Sequence, residues 1–191
     1  MSEDNVVWRA QTYALLAHLL SSEPDQTLID SLAAIEVTEP ESPMGKHWLN
    51  LIEQAKKADV EAIYDAFQAL FIGVTHGELI PYGSYYQTGF LMEEPLAEIR
   101  TDLGKLGLER QQDTSEPEDH IAAVCDVMRL ILSAEGTPIV TADEFFKHHA
   151  LPWFPAFFND LAASKQHEFY SALGQFGAAF TELEQRIFSA N

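Results

Sequence analysis

Two pairs of side chains are spaced to ligate a cation: Glu116 with His120 and Glu144 with His148, with Asp119 as a further carboxylate beside the first pair. Residues four apart share one face of a helix, and imidazole with carboxylate suits a divalent metal. Two such helices facing each other would make a metal-dependent enzyme. The pairs lack the Glu-x-x-His spacing of a di-metal bundle site. Plainer roles stand beside this one: His120 as a helix-start residue bonded to a neighbouring segment, and His149 as a helix-end residue favoured by the dipole.

The same region supports different chemistry. Glu116, Glu118, Asp119 and Asp126 place several carboxylates near one helix start. A carboxylate can hold a guanidinium bidentately, so this set suits an arginine-bearing peptide. Tyr82, Tyr85, Tyr86 and Trp153 could add aromatic surface for cation–π or apolar contact. A third alternative is that these residues serve packing alone. No glycine-rich phosphate fingerprint, paired-cysteine motif or His-Glu-x-x-His occurs, and no nucleophile stands beside an obvious base.

Composition narrows the partners. A net charge of -19, with 11 basic residues scattered along the chain, argues against nucleic acid and favours a cationic partner. A hydrophobic content of 47% in 191 residues excludes a disordered acidic chain and suffices for a sizeable core. The single cysteine, Cys125, falls in an apolar stripe and reads as structural. The first residues lack the basic region of a secretion signal, and no apolar run reaches the ~18 residues of a membrane span. A soluble cytoplasmic protein is the expectation.

The elements that must position these groups are helical. Ser115, Pro117 and Glu118 read as a capping box opening a helix from about 116 to 132, striped by Ile121, Val124, Cys125, Met128, Ile131 and Leu132. Earlier helices are expected at 7–22 (Val7, Tyr13, Leu16, Leu19, Leu20), at 27–35, around Trp48–Ala55, and from Asp59 to Gly73, with 36–44 as a surface connection carrying Pro40 and Pro43. Residues 74–89 show no period and read as an aromatic loop. Glu94-Pro95 opens a helix that Gly107 closes, Thr141 and Glu144 form a second capping box, and further helices follow Trp153 and span 165–188. Gly136 and Pro138 mark the strongest break, dividing 1–134 from 139–191 with a hinge at 135–138 that could permit domain swapping. The fold class is all-α, a single multi-helix orthogonal bundle.

Glu116-Pro117-Glu118-Asp119-His120 resembles the Glu-Pro-x-Asp-His motif of the TorD/DmsD branch of redox-enzyme maturation chaperones, with NarJ proteins as more distant relatives. His149-Ala150-Leu151-Pro152-Trp153 resembles that family's second signature, and Tyr64 to Gly73 leading to Pro81, Ser84 and Tyr86 resembles the segment feeding its aromatic loop. The resemblance implies a non-catalytic cytoplasmic chaperone, without cofactor or metal of its own. It would bind the twin-arginine signal peptide and apoprotein of a molybdenum- or tungsten-pterin oxidoreductase before export. It also implies peptide-binding residues at Tyr82, Ser84, Tyr86, Glu116, Asp119, His120, His149 and Trp153, beside the Asp126 carboxylate. Gly83 stands where many relatives carry an acidic residue, and His148 duplicates the signature histidine.

Overall fold

The computed structural model describes residues 3–73, 77–110 and 116–190, and all regular structure among them is helical. The helices are α1 (Glu3–Ser21), α2 (Gln26–Ala33), α3 (Pro43–Lys57), α4 (Val60–Phe67), α5 (Gly83–Thr88), α6 (Glu94–Leu106), α7 (Ile121–Ser133), α8 (Ala142–Phe145), α9 (Phe154–Ala163) and α10 (Glu168–Ser189). π-Helical segments, Gln68–Ile72 and Phe146–Ala150, continue α4 and α8. No helix among the described residues is long and apolar enough to cross a membrane.

The chain divides into two compact units, one of Met1–Ser21 with Pro81–Trp153 and one of Ser22–Ile80 with Phe154–Asn191. Changes of unit therefore fall at 21/22, 80/81 and 153/154, and the break at 135–138 lies within the first unit. In that unit α1 packs most extensively on α7, α5 meets α6, and the π-helical turn after α8 rests on α7. Tyr13, Leu16, Leu19 and Leu20 of α1 and Val124, Cys125 and Met128 of α7 are buried as the apolar stripes require, whereas Val7 is exposed. Burial raises the Cys125 thiol above its ordinary pKa, which suits an inert core residue.

Local side-chain chemistry sets many helix ends. Asp59 accepts the Glu61 N–H, Thr141 and Glu144 form their reciprocal box, and Gly73 and Gly107 end α4's π-helical extension and α6 at positive φ. Three expectations are corrected. Pro43 is the first residue of α3, behind a Ser42 cap, because proline fits where a helix needs no N–H. Residues 83–88 of the expected loop are helical. The central helix begins at Ile121 with His120 as its cap, so Glu116–Asp119 precede it; Ser115 lies outside the described residues.

In the second unit α10 packs against α9 and α3, with Phe157, Phe158, Phe169, Phe176 and Phe180 buried. Two glycines allow the α9–α10 approach. A Cβ at Gly174 would stand 2.2 Å from the Ala162 nitrogen, and one at Gly177 would stand 2.2 Å from the Phe158 ring. Gly174 faces backbone, which cannot turn aside. Gly174→Ala is therefore expected to lower unfolding free energy by about 1–3 kcal/mol, read from urea denaturation; an unchanged midpoint would show that the helices separate freely.

Candidate functional site

Three stretches converge in the first unit: 81–86, 116–121 and 149–153. The Gly83 N–H donates to the Asp119 carbonyl at 2.9 Å, and the Ile121 N–H to the Pro81 carbonyl at 2.9 Å. Tyr82 and His120 thereby form an isolated antiparallel bridge. Asp119 is buried at 4% exposure, and its Oδ2 accepts the Ser84 N–H at 2.7 Å and the Ser84 hydroxyl. Those amides belong to the first turn of α5, which has no side-chain cap from its own segment. Asp119 is thus the cap of a neighbouring helix, supplied across the fold.

The second signature closes this arrangement from another side. Trp153 is buried and donates its Nε1–H to the His149 carbonyl at 2.7 Å, while its ring lies 5.7 Å from that of Tyr86. A Cβ at Gly83 would come within 3.1 Å of the indole nitrogen, so a side chain there would require the Trp153 ring to shift slightly. His149 is also buried, its Nε2 2.7 Å from Asp102 Oδ2, whereas His148 is exposed. Burial depresses the His149 imidazole against the opposing Asp102 carboxylate. Burial raises the Asp102 carboxyl, but bonds from Lys105 and His149 outweigh it and hold the group below its usual range.

Other members of the predicted set face a cavity of about 670 Å3 in the same unit. Glu116, Glu118, His120 and Asp126 line it, joined by Glu109, His18, Arg110 and Arg129; Ala14, Ala17, Leu103, Leu108, Val127 and Leu130 make apolar walls. Tyr82, Ser84, Tyr86, His149 and Trp153 are not among the lining residues, nor is buried Asp119. The structure therefore brings the signatures together but divides their members between a scaffold and a cavity rim. Sequence reasoning overlooked Arg129 and the Ala14/His18 face of α1, although spacing of four on a helix beside the Asp126 helix was the available signal. It also overlooked Asp102, a distant partner with no local mark.

Glu116, Glu118 and Asp126 of the rim are already engaged. Glu116 accepts the Tyr82 hydroxyl, Glu118 pairs with Arg100 at 2.8 Å, and Asp126 pairs with Arg129 at 2.6 Å. Burial, then the bond to Glu116 and its charge, raises the Tyr82 phenol above its ordinary pKa, so it remains a donor. Glu144 is engaged in its capping box, accepting from the Thr141 N–H at 2.9 Å and hydroxyl at 2.8 Å. Among the described residues no group of three or more His, Cys, Asp or Glu side chains could hold a metal ion. The donors of the metal-enzyme alternative are individually present but not assembled.

His120 links scaffold and rim. Its Nδ1 accepts the Ala122 N–H at 3.2 Å, so the neutral ring carries its proton on Nε2; the ring meets Tyr82 edge-on at 5.1 Å. Burial drives its pKa to about 4, against the opposing pull of Glu116 and Asp119. The unfolded imidazole titrates near ~6.5, so between those values only the unfolded chain takes up the proton. Stability is then complete above about pH 6.5 and declines as pH falls toward ~4, by roughly 3 kcal/mol from this residue. Urea titrations across that range are expected to show a shallower acid loss in His120→Asn, which retains a capping acceptor; identical slopes would remove His120 as the titrating group.

A family model described as "Nitrate reductase delta subunit" matches residues 38–159. The chaperone protein TorD of Vibrio cholerae serotype O1, El Tor, is 29% identical over 147 residues, covering 72% of this chain and 66% of the relative. That of Vibrio atlanticus is 26% identical over 199 residues, covering 92% of each. A crystal structure from Archaeoglobus fulgidus, provisionally described as a redox enzyme maturation protein, superposes with a TM-score of 0.59 at 21% identity over 93% of both chains, a likeness of fold. The chain belongs to the nitrate reductase delta subunit family, within its TorD/DmsD-like group of redox-enzyme maturation chaperones.

Proposed function

We propose that this protein is a non-catalytic cytoplasmic chaperone. It binds the twin-arginine signal peptide and apoprotein of a molybdenum- or tungsten-pterin oxidoreductase during cofactor insertion, and so delays export. The observation carrying this reading is the acid-dominated cavity beside the Glu116–His120 signature, where four carboxylates outnumber two guanidiniums above apolar walls. Family membership and relatives named as TorD chaperones support the class of client.

In this reading the leader's arginines approach Glu116 and Asp126, and its apolar stretch lies along Ala17, Leu103, Val127 and Leu130. His120 lines the same rim, and Tyr82 supports it from behind through its contacts with Glu116 and His120. Asp119, Ser84, Tyr86, His149 and Trp153 contribute by holding that rim in place, a change of role from the direct contact expected of them. The protein works as a monomer or as a dimer exchanging segments through 135–138. Charge on the rim selects the ligand and speeds encounter more than it adds affinity, because each exposed pair contributes little.

Calorimetric titration with a twin-arginine leader peptide and its twin-lysine counterpart tests the reading. The arginine peptide is expected to bind more tightly because guanidinium can take both oxygens of a carboxylate. Asp126→Asn is expected to weaken it roughly tenfold, about 1.4 kcal/mol, while the fold persists by circular dichroism. Equal affinity for both peptides, or binding of neither, would overturn the proposed recognition.

A further inference from the structure

Asp126 is the rim carboxylate held from within the cavity. Its partner Arg129 stands one helical turn later on α7, lines the same cavity, and donates from Nε to Oδ1 at 2.6 Å. Glu118 differs: its partner Arg100 does not line this cavity but a separate one of about 220 Å3 with Met92, Leu96 and Pro117. Glu116 is engaged by a neutral phenol. Arg110 is the other guanidinium lining the cavity, and it acts on Glu118 through its charge; among the described ion pairs, that of Asp126 with Arg129 has both partners in this lining.

We infer that Arg129 is a built-in competitor for the ligand's arginine: it covers Asp126 in the empty protein, is displaced on binding, and recaptures the carboxylate as the ligand leaves. The inference rests on the cavity being the leader site. The pair is suited to exchange. Its side chains are 35% and 49% exposed, so solvent screens it and little free energy holds it closed. The bond uses Nε and one carboxylate oxygen, whereas an arginine arriving end-on can satisfy both oxygens. The carboxylate is meanwhile kept paired through Oδ1, so a weaker cation must compete with Arg129 for it. Arg129 thus sets how readily the ligand is released.

Binding of the twin-arginine peptide is compared across the full-length wild type, Arg129→Gln, Arg186→Gln, Asp126→Asn and the Asp126→Asn/Arg129→Gln pair. Arg186 is an exposed α10 residue paired with Glu182 and is not a lining residue, so its variant changes net charge by the same amount without altering the cavity lining. Arg129→Gln is expected to tighten binding three- to tenfold, mainly through slower dissociation. Arg186→Gln should leave it within twofold, and the gain should vanish when Asp126 is also replaced. An unchanged or weakened Arg129→Gln, an equal gain from Arg186→Gln, or a gain that persists without Asp126 would overturn the competitor role while leaving the leader site intact. Wild type without measurable peptide binding would overturn both.

Discussion

A buried carboxylate with no partner is among the most expensive groups a fold can contain, and Asp119 escapes that penalty through two donors from the start of α5. The bonds run both ways in consequence. α5 has six residues and no cap of its own, too short to persist in isolation, so it depends on Asp119 as much as Asp119 depends on it. The flanking bonds from Gly83 to Asp119 and from Ile121 to Pro81 fix the register between the two stretches. Once it is fixed, Tyr82 reaches Glu116, Trp153 packs over Gly83, and α7 begins where His120 can cap it.

The signature motifs therefore describe an anchorage as well as part of a cavity rim. Asp119, Ser84 and Trp153 are buried, and their polar atoms are turned into the fold. Glu116 and Asp126 remain accessible, and their partners are a phenol and a neighbouring guanidinium. A motif can recur in order because some of its members hold others at a rim. Rigidity below and exchangeable pairing above is what a reversible binding surface requires.

Features governed by neighbouring residues were legible in the sequence. Asp59, the Thr141/Glu144 box and Gly107 act within a turn, and the apolar stripes of α7 and α10 follow one period. The start of α7 was misread because Ser115, Pro117 and Glu118 satisfy a capping pattern, while the actual cap is an imidazole nitrogen positioned by a bridge to Tyr82. α5 was invisible since Gly-Ser-Tyr-Tyr-Gln-Thr carries no helical stripe and its first turn is satisfied by a residue 35 positions away. The choice between His148 and His149 likewise depended on Asp102, 47 residues distant. The candidate residues were legible as a group, but not their division into anchorage and rim, because burial is a property of packing.

Neither unit is a continuous stretch of chain: α1 belongs with residues 81–153, and 22–80 with the last two helices. During synthesis the apolar side of α1 must wait for α7, about 100 residues later, or roughly 5–20 s at usual elongation rates. For that interval Leu16, Leu19 and Leu20 lack their eventual cover. A protein that would shelter unfinished clients is itself, on the ribosome, a nascent chain in need of shelter.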